Sequence, residues 1–249
     1  MVSFAERRVI KMTNRLSFNA NQLKIIAILA MLTDHIAWAF VPTESVLAFC
    51  MHVFGRLTAP IMCFFIAEGY VHTRNLGKYF MRMAIFGVIS SWAYGFYESG
   101  GTMGFYGFGM IYTLFLGLLA IHVWNKSHWI VGLRVLLIAV LCFCSLFGDW
   151  PIMGILWPLY FYIYRDDNRK KYTAFSIIAV LESFSFVFMY WGDWSMAIAM
   201  LCQFGVLLAV PLLSCYNGQL GKWKGMKWLF YIFYPAHLII LGLISMMFV

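Results

Sequence analysis

Residues 23–41 read LKIIAILAMLTDHIAWAFV, an apolar run that carries an acid and a histidine side by side at positions 34 and 35. At ~1.5 Å rise per residue the run extends roughly 28 Å as a helix, close to the thickness of a bilayer core. A helix that only anchors a chain needs no charge. Asp34 and His35 sit about two thirds of the way along. An ionisable group at such depth costs about 2.5–3.5 kcal/mol on insertion scales. The pair therefore needs partners, water or a task, and the rest of the chain is read as what surrounds it.

Of 249 residues, 63% are hydrophobic and 11% charged, against roughly 25% charged in a soluble domain. Apolar runs recur from Leu23 to the C-terminus. This implies an all-α, polytopic transmembrane helix bundle. Residues 1–21 form a basic cytoplasmic segment, and residues 22–249 a single transmembrane domain. The run at 23–41 reads as a retained span, because no cleavage site follows a short apolar core. The formal charge of +8 does not point to nucleic acid, since the basic residues cap apolar runs instead of sharing one face. The six cysteines, Cys50, Cys63, Cys142, Cys144, Cys202 and Cys215, form no metal-ligand spacing and read as small packing residues. No metal is expected.

The expected spans are about nine: 22–41, 46–71, 79–97, 104–124, 129–147, 150–164, 172–190, 195–214 and 228–248, the sixth being short. Loop charge gives their direction. With the N-terminus in the cytoplasm, the inner segments hold Arg7, Arg8, Lys11 and Arg15; Arg74, Lys78 and Arg82; Lys126; Arg165, Arg169, Lys170 and Lys171; and Lys222, Lys224 and Lys227. The outer turns hold Glu44, Glu98, Asp149 and Asp193, without Lys or Arg. Such asymmetry places a multi-pass protein in the cell (inner or plasma) membrane with its N-terminus inside. Many aromatics, Tyr94, Tyr97, Trp150 and Trp194 among them, fall near span ends and read as interfacial.

Counting along these helices puts Asp34, His35, His52, Arg56, Glu182 and His237 in one layer near the midplane. Pairing, Asp34 with Arg56 for instance, would lower the cost of each. The bland alternative is a polar network that only glues helices. Lys24 and His35 are eleven positions apart, close to three turns, so they share a helix stripe roughly 16 Å long. A long anionic cofactor gripped at Lys24 would reach His35 with its tip. The turn around GYVHTRNLGKYFMRM supplies His72, Arg74, Lys78 and Arg82, with Glu68 just before it. Arg and Lys there suit phosphate, although the charge rule for inner loops asks for the same residue types. No Walker loop, dinucleotide fingerprint, zinc motif or serine nucleophile elbow is present.

These residues carry a resemblance. LKIIAILAMLTDHIAW, GRLTAPIMCFFIAEGYVHTRNLGKYFMRM, YNGQLGKW and LFYIFYPAHLIIL, in that order, resemble the TraX family, named for the enzyme that N-acetylates conjugative pilin. That family is in turn similar to the acyltransferase-3 group of membrane acyltransferases. The group has a basic residue, ten intervening residues and a histidine in its first span, matched here by Lys24 and His35. Its Arg-rich motif is absent in standard form, so Arg74 and Arg82 are assigned by location alone. The resemblance implies cytoplasmic acetyl-CoA as acyl donor, a central histidine, and an acceptor met in or beyond the membrane.

The expectation is a membrane acetyltransferase. Acetyl passes from acetyl-CoA to an amine (a pilin-like or other peptide N-terminus) or to a hydroxyl such as that of a glycan. Lys24, Arg74, Lys78, Arg82 and Glu68 would bind the donor. His35 would act as general base, orientated or charge-balanced by Asp34, and Arg56 or His237 would stabilise the oxyanion. An acetyl-His intermediate is the variant route. The rival is a proton-coupled transporter using Asp34, His35 and Glu182. Against it, the sequence shows neither an internal repeat nor paired Gly/Pro-interrupted spans. A membrane scaffold without turnover is the third reading. Oligomeric state is not legible.

Overall fold

A computed structural model describes residues 17–102 and 106–247. Arg7, Arg8, Lys11 and Arg15 lie outside the described residues, as does the side chain of Lys227. The first helix, α1 (Ala20–Phe40), starts at a reciprocal cap: Asn19 accepts from the Gln22 amide while the Gln22 side chain accepts from the Asn19 amide. It stops where Val41 turns extended ahead of Pro42, the conformation that a following proline favours. We call the end of the bundle where α1 begins the lower face, and the end where it stops the upper face.

The chain descends through α2 (Val46–Gly55) and α3 (Thr58–His72). The break between them has a covalent cause. Pro60 has no amide to offer the Arg56 carbonyl four residues earlier, and the chain turns at Arg56 and Leu57. Helix α4 (Leu76–Glu98) ascends from an Asn75 cap. Then follow α5 (Met110–Trp124), α6 (Val131–Ser145) and α7 (Met153–Ile163). These helices are only about 16–23 Å long at ~1.5 Å per residue, short of a bilayer core of roughly 30 Å. Their upper connections make up the difference by dipping inward. Phe108 donates its amide to the Phe147 carbonyl, and the Asp149 amide donates to Phe108, each at 2.8 Å. Irregular backbone at membrane depth is stable where protein or a wet cavity satisfies it.

Helix α8 (Asn168–Met189) ascends from an Asp167 cap. The next stretch, Trp194–Ser214, changes character midway: α9 (Trp194–Ala199), a nine-residue 3-10 segment (Met200–Leu208), then α10 (Ala209–Ser214). A 3-10 run of that length is unusual. It packs so closely on α2 that a Cβ at Gly205 would meet the Val53 backbone carbonyl at 2.5 Å. Helix α11 (Met226–Ser245) closes the bundle against α1 and α4.

Every stretch expected to span contains helix. Five, Ala20–Phe40, Val46–His72, Asn168–Met189, Trp194–Ser214 and Trp228–Ser245, are long and apolar enough to cross a membrane. Val46, Val88, Leu181 and Phe188 stand exposed on the outside, an apolar surface that suits lipid contact. The fourth and fifth expected spans overreach at their upper ends. The residues beside Phe108 and Gly148 form the inward connections instead. One argument from the sequence is also corrected: the Arg56–Leu57 break and the 3-10 segment are two interrupted passes, and they lie against each other.

Candidate functional site

Two cavities lie one above the other in the bundle. The upper one, about 670 Å³, is lined by α1, the Arg56 break, α4, the α6–α7 connection, the 3-10 segment and α11. The lower one, about 170 Å³, is lined by α1, α3, α4, α5 and α11.

Asp34 projects from α1 toward Arg56. The guanidinium Nη2 reaches both carboxylate oxygens, Oδ1 at 2.6 Å. His52 Nδ1 donates to Oδ1 at 2.9 Å. Arg56 Nη1 donates to Gln203 at 3.3 Å, and the guanidinium sits 5.2 Å from the Trp150 ring centroid. The approach of α1 to α2 depends on Gly55, because a methyl there would overlap the Asp34 side chain. A carboxylate shared between a cation and a second donor can stay ionised at depth.

His35 points elsewhere. Adjacent positions on a helix diverge by about 100°, so Asp34 and His35 face different partners. Asp34 makes no hydrogen bond to the His35 ring, so of its two expected roles, orientating that ring or balancing its charge, the geometry leaves the second. His35 Nδ1 lies 2.8 Å from the Met31 carbonyl. A carbonyl only accepts, so Nδ1 carries the proton. His237 Nδ1 stands likewise 2.8 Å from the Phe233 carbonyl, which leaves its Nε2 as an acceptor, 3.4 Å from His35 Nδ1. The Tyr97 hydroxyl donates to the His35 carbonyl at 2.7 Å, and its ring meets the imidazole edge-on. His35 Nε2 therefore carries the lone pair, and it has no hydrogen-bond partner among the described residues. His35 is a wall of the upper cavity.

Of the expected midplane layer, Asp34, His35, His52, Arg56 and His237 come together. Glu182 is buried on α8, but its carboxylate forms no salt bridge within 4 Å among the described residues.

The lower cavity selects among the expected donor-binding residues. Lys24 and Arg82 line it. Lys24 Nζ lies 4.8 Å from the Phe65 ring centroid, and the Arg82 guanidinium 5.7 Å from that of Tyr79. Neither cation has a carboxylate within 4 Å among the described residues, and the buried Nε of Arg82 has no partner. Two cations without acids make a site suited to an anion. Arg74 and Lys78 are exposed and line neither cavity. Glu68 pairs with His72 at 3.6 Å. These three, expected with Lys24 and Arg82 to bind the donor from the inner turn, stand outside this cavity.

The structure also adds residues. Asp149, read as part of an outside turn, and Trp150, read as an interfacial aromatic, line the upper cavity. Trp150 and Ile152 have positive φ, 56° and 65°, a conformation costing about 1–2 kcal/mol in a non-glycine residue. The turn is held by bonds from Thr113 Oγ1 to the Asp149 carbonyl, 2.6 Å, and from the Ile152 amide to Ser145 Oγ, 2.8 Å. Gln203 was missed in the sequence, where being the lone amide in an apolar run is its one signal.

An apolar helical bundle with a buried ionic and histidine centre, a large cavity above and a small cationic cavity below, defines a polytopic membrane protein built around a polar site. The chain matches the family model described as TraX protein over residues 19–245, and it belongs to the TraX family. It is similar to the "Probable fimbrial assembly protein FimC, serogroup H1" of Dichelobacter nodosus, 33% identical over 237 residues, covering 92% of this chain and 97% of the relative. No solved structure matches it.

Proposed function

We propose that this protein is an integral-membrane acetyltransferase that takes acetyl from acetyl-CoA at its lower face and delivers it to an acceptor in the upper cavity. The observation that carries the reading is His35. Its Nδ1 proton is committed to the Met31 carbonyl, and its Nε2 lone pair is unbonded at the cavity wall. That is the arrangement of a neutral general base.

The lower face is assigned to the cytoplasm. Its connections carry Arg74, Lys78, Lys126, Arg165 and Arg169, whereas the upper ones carry Glu44, Glu98, Asp149 and Asp193. Lys24 and Arg82 suit the donor's phosphates. The lower cavity, about 170 Å³, is smaller than the roughly 300–1,000 Å³ of a site that encloses a whole ligand, so it takes part of the donor and leaves the nucleotide end outside. In the transfer, His35 Nε2 takes a proton from the acceptor as its nitrogen or oxygen bonds to the acetyl carbon. The carbon–sulfur bond then breaks, and the proton on Nε2 passes to the leaving thiolate. Arg56 is the cation on the cavity wall nearest in kind to an oxyanion partner. Asp34 serves by fixing Arg56 and His52. The name of the Dichelobacter nodosus relative favours a fimbrial subunit, and hence a peptide amine, as acceptor; a hydroxyl is the second choice.

The rival reading, a proton-coupled transporter, gains from the two interrupted passes that face each other beside Asp34 and from cavities approaching both faces. Addition of acetyl-CoA to the purified protein separates the two. An acetyltransferase gains thermal stability with ligand concentration and releases CoA when given an acceptor peptide. A transporter does neither.

A further inference from the structure

The two cavities share no lining residue, yet little separates them. On α5, Met110 lines the upper cavity and the next residue, Ile111, the lower. On α11, Tyr234 lines the upper and Tyr231 the lower, a step of ~4.5 Å along the helix. On these two helices the partition is thus about one turn thick; on α1 it is wider, since Lys24 lines the lower cavity and Met31, seven positions on, the upper.

Four side chains, Met31, Thr58, Met110 and Tyr234, are buried residues of the upper cavity at this level. Two are pinned. The Thr58 hydroxyl donates to the Ala27 carbonyl at 3.1 Å, and the Tyr234 hydroxyl accepts from the Met110 amide at 2.9 Å. The other two are methionines with fixed backbones and buried side chains that have no polar partner. The Met31 carbonyl is held by His35 Nδ1, and the Met110 amide by Tyr234. A thioether has three rotatable bonds and no obligate partner, so it can swing aside and return.

We propose that Met31 and Met110 form a movable septum between the cavities, and that their bulk sets the size of the acyl group the enzyme accepts. The second half rests on the acetyltransferase reading. Donor phosphates at Lys24 and Arg82 lie below the partition, while His35 lies above it. The thiol end of the arm and the acyl group on it must therefore pass the thioethers.

Two measurements on the full-length protein decide it. In liposomes enclosing a proton-sensitive dye, Met31→Ala and Met110→Ala should speed proton entry after a pH step at least threefold over the wild type. Leak at the wild-type rate from folded variants overturns the septum. In turnover, Met31→Ala should raise the ratio of kcat/KM for hexanoyl-CoA over acetyl-CoA at least tenfold. Met31→Phe should lower acetyl transfer at least tenfold with CoA affinity unchanged. An unaltered chain-length ratio overturns size selection. Met31→Val and Met110→Val are run alongside, in case the larger cuts unfold the protein, and should move both readouts the same way by smaller factors. If the wild type turns over no acyl-CoA, the acetyltransferase reading falls and takes the passage of an acyl arm with it. The leak then decides the septum by itself.

Discussion

His237 Nε2 stands 3.4 Å from His35 Nδ1 and joins the last helix to the first. With both rings protonated on Nδ1, the lone pair of His237 faces the proton of His35. In this tautomer His237 offers a lone pair and not a proton, and we propose it as a positioning residue in place of the expected oxyanion donor.

On the proposed acetyltransferase reading, His237→Ala should therefore cost the site one neutral hydrogen bond. Such a bond contributes about 1 kcal/mol, or about fivefold in rate. Turnover should fall by that order with acetyl-CoA binding unchanged. A loss as large as that of His35→Ala would move His237 into the chemistry.

The Asp34–Arg56 pair makes a prediction about stability. Removing one partner of a buried pair strands a charge and costs about 3–5 kcal/mol, whereas removing both is often close to neutral. Asp34→Asn should lower the detergent melting temperature more than Asp34→Asn combined with Arg56→Met. Gly55→Ala should act like Asp34→Asn, because its methyl takes the space of the carboxylate. A double variant less stable than the single one would contradict the pairing.

Lys24 and Arg82 line the lower cavity, and Arg74 and Lys78 do not. Binding far from the reacting carbon is mostly uniform and shows in KM. Lys24→Ala and Arg82→Ala should raise KM for acetyl-CoA about tenfold or more with kcat little changed. Arg74→Ala and Lys78→Ala should change KM less than threefold. The reverse order would return the donor site to the exposed turn.

Sidedness is open to direct labelling. In a cysteine-free background, single cysteines in place of Glu44, Glu98 and Asp193 should react with an impermeant thiol reagent from outside. Those in place of Arg74, Lys126 and Arg169 should not. A cysteine in place of Asp149 should react more slowly than the other outer ones, because that turn dips into the cavity. Labelling of the basic loops from outside would invert the assignment.

The sequence showed the polar centre because charge in an apolar helix is expensive. Asp34, His35, His52, Arg56 and His237 stood out for that reason, and counting helical rise placed them at one depth. It also offered Asp34 with Arg56, the pair the structure shows, but not that His52 joins Asp34 or that Gln203 joins Arg56. Asp34 and His35 are adjacent in the chain but splay apart on the helix, and the partner of Asp34 is set by the Gly55 approach. The α6–α7 connection was hidden because an inward turn and an exterior turn use the same residues: Gly148, Asp149 and Pro151 suit either. Arg74 and Lys78 could not be set apart from Lys24 and Arg82 for a matching reason. Inner-loop topology and phosphate binding ask for the same side chains, and only the cavity tells them apart.

The central claim is that His35 Nε2 removes the acceptor's proton. The measurement is acceptor-dependent CoA release by purified, folded His35→Ala and His35→Gln at saturating acetyl-CoA. Both should lose roughly 10²–10⁴-fold in turnover, with acetyl-CoA affinity close to wild type, since an amide can accept a hydrogen bond but cannot take the proton. A fully active His35→Gln would make this residue a hydrogen-bonding strut and contradict the account.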